Sequence, residues 1–304
     1  MMGGAAIRRV PLLALAMAAA VALLTANALA APITVRDDAD AVVTIAGPAR
    51  RIVSLAPHAT ELLFAAGAGG AVVGVVAHSD WPPPARGLPR VGDAAALDLE
   101  RIVALAPDLV VAWPYTAPPQ LAALRAQNVP VFVSDPRSIA AIADNIEKLG
   151  TLAGTKAIAQ PVAAAMRTRQ AALAAKYRSA APLRVFYEIW NEPLYTIGGR
   201  HLITEAIATC GGVNVFAALL LPAPSVTIEA VVAAAPEVIV GGDDAGHRPA
   251  WLADWLRWPV IPAVRDGNLF VADGNLLHRP GPRFLEGVAV LCADFDQART
   301  RRKR

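Results

Sequence analysis

The chain has 304 residues, enough for two domains, and is 55% hydrophobic and 17% charged, which excludes a disordered polyelectrolyte. Lys and Arg outnumber Asp and Glu by 28 to 25, a net +3 that invites a nucleic-acid reading. Two of those cations, Arg8 and Arg9, lie in the first thirty residues and five more (Arg299, Arg301, Arg302, Lys303, Arg304) in the last six; residues 31–298 keep 21 bases against 25 acids, a mildly acidic body that removes the case for a nucleic-acid partner.

Residues 1–30 read as a secretory signal peptide. Arg8 and Arg9 supply the positive segment, Val10 to Leu24 is apolar but short for a bilayer span, and Ala28-Leu29-Ala30 is a small-x-small cleavage site. The expectation is an exported, periplasmic chain starting at Ala31, with no Cys nearby to carry a lipid. Residues 299–304 read as a solvated, frayed basic tail.

Strand-like and helix-like runs then alternate. Ile52 to Leu55 is a short strand and Thr60 to Ala66 a helix stopped by Gly67. Val72 to Val76 is a strand, Leu99 to Leu105 a helix broken by Pro107, and Leu109 to Trp113 a strand. Gln120 to Gln127 is a helix and Val129 to Val133 a strand. This describes an N-terminal α/β lobe over 31–137. Residues 138–180 are almost wholly helix-compatible. Gly150 and Gly154 are expected to end a first helix and Thr155 to cap a second, with Pro161 kinking it or delaying its start. A helix of about 24 residues would span ~36 Å and serve as a strut without a Gly/Ser hinge. Strand and helix alternate again over 181–298, the C-terminal lobe. The predicted fold class is α/β, two Rossmann-like lobes with central parallel sheets joined by a long rigid backbone helix. Residues 205–229 hold no charge between their terminal glutamates, but Gly211, Gly212, Asn214, Pro222 and Pro224 point to a buried turn and loop rather than a membrane span.

The lobes repeat each other. LDLERIVALAPDLVVA at 97–112 aligns without gaps on VTIEAVVAAAPEVIVG at 226–241, an offset of 129 with six identities in sixteen, among them Glu100/Glu229 and Pro107/Pro236. Thr60-Glu61 through Gly67 likewise matches Thr204-Glu205 through Gly211. Glu100 and Glu229 each sit two residues after a potential N-cap, Asp98 or Thr227. They are either first-turn acids favoured by the helix dipole or a symmetric pair for a partner with two-fold symmetry and paired basic residues.

A cleft between the lobes is the expected ligand site. Trp113 ends a strand, Trp81 lies in a loop, Trp190 and Tyr195 flank another post-strand loop, and aromatic walls suit a large, flat, partly apolar ligand. Arg279 offers a planar donor fork, while Arg283 caps or pairs structurally. Trp251, Trp255 and Trp258 have the spacing of helix-packing residues. His58, His78, His201, His247 and His278 lack close metal spacing, so no dedicated metal site is expected. Asn191-Glu192-Pro193 at a strand end invites a glycoside-hydrolase reading with Glu188, but both carboxylates share one short segment, whereas that chemistry needs them on opposite sides of the bond. Catalytic residues are therefore not assigned, and the chain is not read as an enzyme. Cys210 and Cys292 in an exported chain are either a disulfide or two buried thiols.

The segments RIVSLAPHATELLFAAG (51–67), HSDWPP (78–83), LDLERIVALAPDLVVAW (97–113), PLYTIGG (193–199), CGGVNVF (210–216) and RPGPR (279–283) give the chain its family pattern. It resembles the helical-backbone substrate-binding proteins of ABC importers, and within them the periplasmic vitamin B12-binding proteins. The resemblance implies that Glu100 and Glu229 dock arginines of the two permease subunits, and that Cys210 and Cys292 form a disulfide. It places cleft residues at His78, Trp113, Tyr195, Asn275 and Arg279. His78 stands where the family has Tyr, Asn275 where it has Asp, and Ala94 and Ala223 where it has Trp; Trp81 and Trp190 are read as replacing that aromatic wall. The implied function is capture of cobalamin, as cargo rather than catalytic cofactor, by a monomer that passes it to a permease dimer with ATPase subunits. Haem or a ferric siderophore is the alternative cargo.

Overall fold

The computed structural model describes residues 31–93, 96–243 and 249–302. Residues 1–30, expected to be a signal peptide, and Ala94, His247, Lys303 and Arg304 lie outside the described residues. A hairpin of β1 (Ile33–Arg36) and β2 (Val42–Ile45) opens the chain. Asp37 ties it to the first lobe by accepting the Val133 N–H at 3.0 Å.

The N-terminal lobe contains β3 (Ile52–Ser54), α1 (Pro57–Ala65), β4 (Val72–Val75), α2 (Leu99–Ala104), β5 (Leu109–Ala112), α3 (Pro118–Ala126) and β6 (Val131–Val133). Its four strands are parallel in the order β4-β3-β5-β6. The C-terminal lobe contains β7 (Leu183–Asn191), β8 (Leu194–Thr196), α6 (Leu202–Thr209), β9 (Gly212–Asn214), α7 (Ile228–Ala234), β10 (Val238–Asp243), α8 (Pro262–Arg265), β11 (Leu269–Asp273), α9 (Gly274–Leu277) and α10 (Phe284–Arg302). There β9 and β10 flank β7, β11 lies beyond β10, and all four strands are parallel. Each lobe therefore places its strands 2-1-3-4. The C-terminal lobe adds the antiparallel β8, paired to the far half of β7.

Between the lobes run α4 (Ile139–Leu152) and α5 (Lys156–Tyr177). The Ser138 hydroxyl caps α4 by accepting the Ala141 N–H. Gly150 does not end α4 as expected. It lies inside the helix, where a Cβ would come within 2.3 Å of the Ala159 Cβ, and so lets the two helices approach. Gly154, at φ +70°, is the stop. Thr155 occupies the N-cap position of α5, but its hydroxyl donates to Ala66 O (2.6 Å) rather than capping the helix. The helix begins five residues before Pro161. The proline forfeits one backbone bond in the second turn, while Ala159 and Ala163 stay buried in the packed helices. Arg167 spans the pair, 2.6 Å from Asp144 and 2.9 Å from Glu147.

One hydrophobic core runs continuously from β3, β5 and α1 through α4 and α5 into β7, α6 and α10. Two smaller clusters back the outer faces of the two sheets. A core shared by both lobes opposes their wide separation. Cys210, at the end of α6, is disulfide-bonded to Cys292 in α10.

Two expectations fail locally. Arg299, Arg301 and Arg302 do not fray; they form the last turn of α10. Arg299 donates to Ala181 O (2.9 Å) and Cys210 O (2.6 Å), and Arg302 to Pro182 O (3.2 Å). Carbonyls left open where other elements end provide the acceptors. The stretch after β9 is exposed rather than buried, with Leu220 and Leu221 in solvent; backbone bonds from Gly198 and Gly199 hold it. Trp251 and Trp255 pack as expected into the C-terminal-lobe core, from a 3-10 helix (Ala250–Arg257) rather than an α-helix, while Trp258 follows it and is exposed.

Candidate functional site

In a sheet ordered 2-1-3-4 the winding reverses between strands 1 and 3, and a crevice opens at their carboxyl ends. In the N-terminal lobe that point lies between β3 and β5. Trp113 follows β5 directly, its ring edge-on to His58 at 5.5 Å and to Tyr115 at 4.6 Å. His58 is buried, and burial lowers its pKa to about 4 against the opposing pull of the Ser134 carbonyl and Asp38, so the imidazole is neutral at physiological pH. In the C-terminal lobe the reversal lies between β7 and β10. His278 packs over Gly242, where a Cβ would come within 2.5 Å of the ring, and its Nε2 is 3.0 Å from the Tyr187 hydroxyl. His201 is also held neutral, to a pKa of about 4, by burial and by the neighbouring His278; its Nδ1 accepts the Ile203 N–H.

Trp190 and Tyr195 flank the turn between β7 and β8, as expected, and pair directly across the two strands, so both project from one face of that ribbon. Trp190 is 57% exposed, and its indole N–H donates to Glu192 O. His78 is exposed, at φ +61°. Ala223 lies in the exposed segment before α7.

Trp81, Asn275 and Arg279 come together through Arg283, which pairs structurally as expected, and through Glu61, whose part was not read from sequence. Arg283 sets its guanidinium 4.6 Å over the Trp81 ring and approaches Asn275 O at 3.4 Å. Glu61, on α1, accepts two bonds from Arg283 (3.0 and 2.7 Å). Arg279 donates to Asp80 at 2.8 Å and stands 3.6 Å from Glu61. Arg279 is thus already engaged by the opposite lobe rather than free. Burial alone would raise the Asp80 carboxyl; the hydrogen bond and charge of Arg279 overcome that and hold it low. Two signals were present in the sequence: the four-residue spacing of the arginines in RPGPR and the repeated Thr-Glu of the two lobes.

Glu100 and Glu229 are both exposed, at the second position of α2 and α7. Asp98 and Thr227 cap those helices by accepting the N–H of Arg101 and Ala230. The Glu229 carboxyl is lowered by its own backbone N–H and by the Thr227 hydroxyl. The repeat goes further than these residues. Ala106 and Ala235 both end their helices at φ +43° before proline. Arg51 donates to Leu105 O and Arg184 to Ala234 O, while Asp108 and Glu237 accept the Arg51 and Arg184 N–H groups.

Glu188 and Glu192 do not form a carboxylate pair. Glu188 is buried and accepts the Trp255 indole N–H at 2.6 Å; burial raises its pKa to about 8, while Glu192 is exposed.

Two α/β lobes of matched topology, tied by packed helices and facing each other across strand ends, define a two-lobed binding protein. The chain belongs to the periplasmic binding protein family, whose pattern matches residues 52–276. A vitamin B12-binding protein of Vibrio cholerae serotype O1 is 38% identical over 250 residues, 81% of this chain and 88% of the relative. The crystal structure of the periplasmic vitamin B12 binding protein BtuF of Vibrio cholerae matches with a TM-score of 0.75 at 36% identity, over 83% of this chain and 98% of that one. The periplasmic heme-binding protein RhuT from Roseiflexus sp. RS-1 matches with a TM-score of 0.72 at 28% identity, over 82% and 98% of the two chains. The family is one of substrate-binding proteins rather than enzymes.

Proposed function

We propose that the protein captures cobalamin in the cleft between its lobes, in the periplasm after removal of residues 1–30, and passes it to an ABC importer. The observation that carries this reading is the composition of the cleft ends. Trp113 and Tyr115 in one lobe and Trp190 and Tyr195 in the other supply flat apolar surface. Trp81, Asn275 and Arg279 add an aromatic face, an amide and a guanidinium, which suit a corrin ring with amide side chains. Identity of 36–38% to vitamin B12-binding proteins over both lobes supports the same choice. His78 contributes a polar rim.

Glu100 and Glu229 dock paired cations of a two-fold permease dimer. Helices α2 and α7 return antiparallel to the strands they precede, so both carboxylates lie at the cleft end of the lobes, where cargo leaves. The protein itself carries out no chemistry; ATP is hydrolysed by the partner's subunits.

The test is titration of the purified protein with cyanocobalamin, haemin and a ferric siderophore. Cyanocobalamin binding tighter than ~10 μM, with haemin and siderophore weaker, is expected. Tight haemin binding without cobalamin binding overturns the cargo and retains the transport class, which the heme-binding relative makes the second reading.

A further inference from the structure

We propose that Glu61 and Arg283 are positioning residues of the cleft, joining Trp81 of one lobe to Asn275 and Arg279 of the other so that one wall stands assembled before ligand arrives. The inference gives the cobalamin-binding reading a mechanism and rests on it for the identity of the wall.

Glu61, on α1, is 3% exposed although it carries a carboxylate. Such a group is tolerated only when paired and hydrogen-bonded. Both of its oxygens are used by one guanidinium, with Arg283 Nε at 3.0 Å and Nη2 at 2.7 Å. The two residues are 222 positions apart and belong to different lobes. A buried ion pair adds little stability compared with an apolar pair of the same volume, but its bidentate geometry is fixed. It therefore serves as a geometric device. The remaining face of Arg283 stacks over Trp81 at 4.6 Å, and Arg279 extends the same carboxylate to Asp80.

Backbone packing supplies an independent observation. Between the two arginines, Gly281 lies directly on Glu61; a Cβ there would stand 3.3 Å from Oε2. Pro280 and Pro282 stiffen the strap on either side. The repeat adds a second tie. Glu205, at the position matching Glu61, accepts the Ile139 N–H that opens α4 (2.8 Å) and the Gln170 amide of α5 (2.9 Å). Each lobe's first helix thus spends one glutamate on a crosslink beyond its own lobe, and only that of Glu61 reaches ligand-cleft residues.

Spin labels on Arg125→Cys and Arg257→Cys, exposed sites on opposite lobes, report the lobe separation in the full-length mature protein. In the ligand-free state the parent should give one narrow distance distribution. Arg283→Met, which keeps the volume, and Arg283→Lys, which keeps the charge but lacks the fork, should broaden or shift it. Glu61→Gln should do the same. Cyanocobalamin affinity should fall by roughly tenfold or more in Arg283→Met, the loss expected when a preorganised wall must be ordered on binding, and by less in Arg283→Lys. Unchanged ligand-free distances in all three variants overturn the proposal whether or not cobalamin binds. Altered distances with cyanocobalamin affinity kept within twofold also overturn it. Failure of the parent to bind cobalamin overturns the cargo assignment instead, and the distances still decide whether the two residues set the lobes.

Discussion

Glu188→Gln should make the protein more stable at pH 8 and, once the acid is protonated at pH 4, less stable by about 1 kcal/mol. The Glu188 carboxyl lies beneath β7 with the Trp255 indole as partner, and burial raises its pKa from 4.5 to about 8, with nearby Asp254 adding a smaller push and the indole opposing. A raised carboxyl pKa means that the folded chain holds a proton the unfolded chain has lost. Between pH 4.5 and 8 the unfolded state therefore binds fewer protons, and stability falls as pH rises through that window. Each unit is worth about 1.4 kcal/mol, so by pH 7 the ionisable side chain costs about 3 kcal/mol relative to one that cannot ionise. Glutamine keeps an oxygen for the indole N–H but adds a second donor, which returns about 1 kcal/mol if unpaired. The net gain of about 2 kcal/mol corresponds to roughly 4–8 °C in Tm for a chain of this size. Thermal unfolding of parent and variant at pH 4, 6 and 8 reads it directly. Equal stability at every pH, or a variant weaker at pH 8, refutes the assignment of Glu188 as a neutral buried acid.

Three further outcomes are expected. Replacing Glu100 and Glu229 together by Ala should abolish delivery by the loaded protein to permease-containing vesicles and leave cyanocobalamin affinity within twofold; a loss of affinity with delivery intact refutes the docking role. Arg299→Ala removes donors from Ala181 O and Cys210 O and should cost about 2 kcal/mol in urea unfolding, whereas a frayed tail would cost nothing. His58, lowered to about 4 chiefly by burial, stays neutral when folded while the unfolded side chain takes up a proton below its ordinary 6.5. Relative to a His58→Gln variant, stability should therefore fall from pH 6.5 towards pH 4 by about 3 kcal/mol, and imidazole NMR shifts should show a neutral ring at pH 5.5.

What was legible in the sequence was what is local. The helix at Leu99 was readable because Asp98, the apolar spacing and Pro107 all lie within ten residues, and the strands because their apolar runs are short and bounded. Pairings across the chain were not. Arg299 looked like part of a loose basic tail because its acceptors, Ala181 O and Cys210 O, are backbone groups that no side-chain pattern announces. Gly150 looked like a helix stop because a glycine needed for close helix approach and one needed for a turn are the same letter; only Ala159 across the interface distinguishes them. Arg279 was read as a free ligand donor because its partners, Asp80 and Glu61, lie about two hundred residues away.

The repeat itself separates two kinds of surface. Asp98 and Thr227, Glu100 and Glu229, Ala106 and Ala235, and the clasps of Arg51 with Asp108 and Arg184 with Glu237 all recur in both lobes. On the docking role proposed above, a two-fold partner would meet Glu100 and Glu229 once each, so matching them in both lobes would keep both contacts. The cleft residues do not recur. Trp113 faces His58 in one lobe, Tyr187 meets His278 in the other, and the strap carrying Arg279 and Arg283 has no counterpart in the N-terminal lobe among the contacts described. A corrinoid lacks two-fold symmetry, and a cleft built from two identical halves would fit it poorly. On the proposed docking role, duplicated positions for the receptor and divergent ones in the cleft are what a protein needs when it must satisfy a symmetric receptor and an asymmetric cargo with the same pair of lobes.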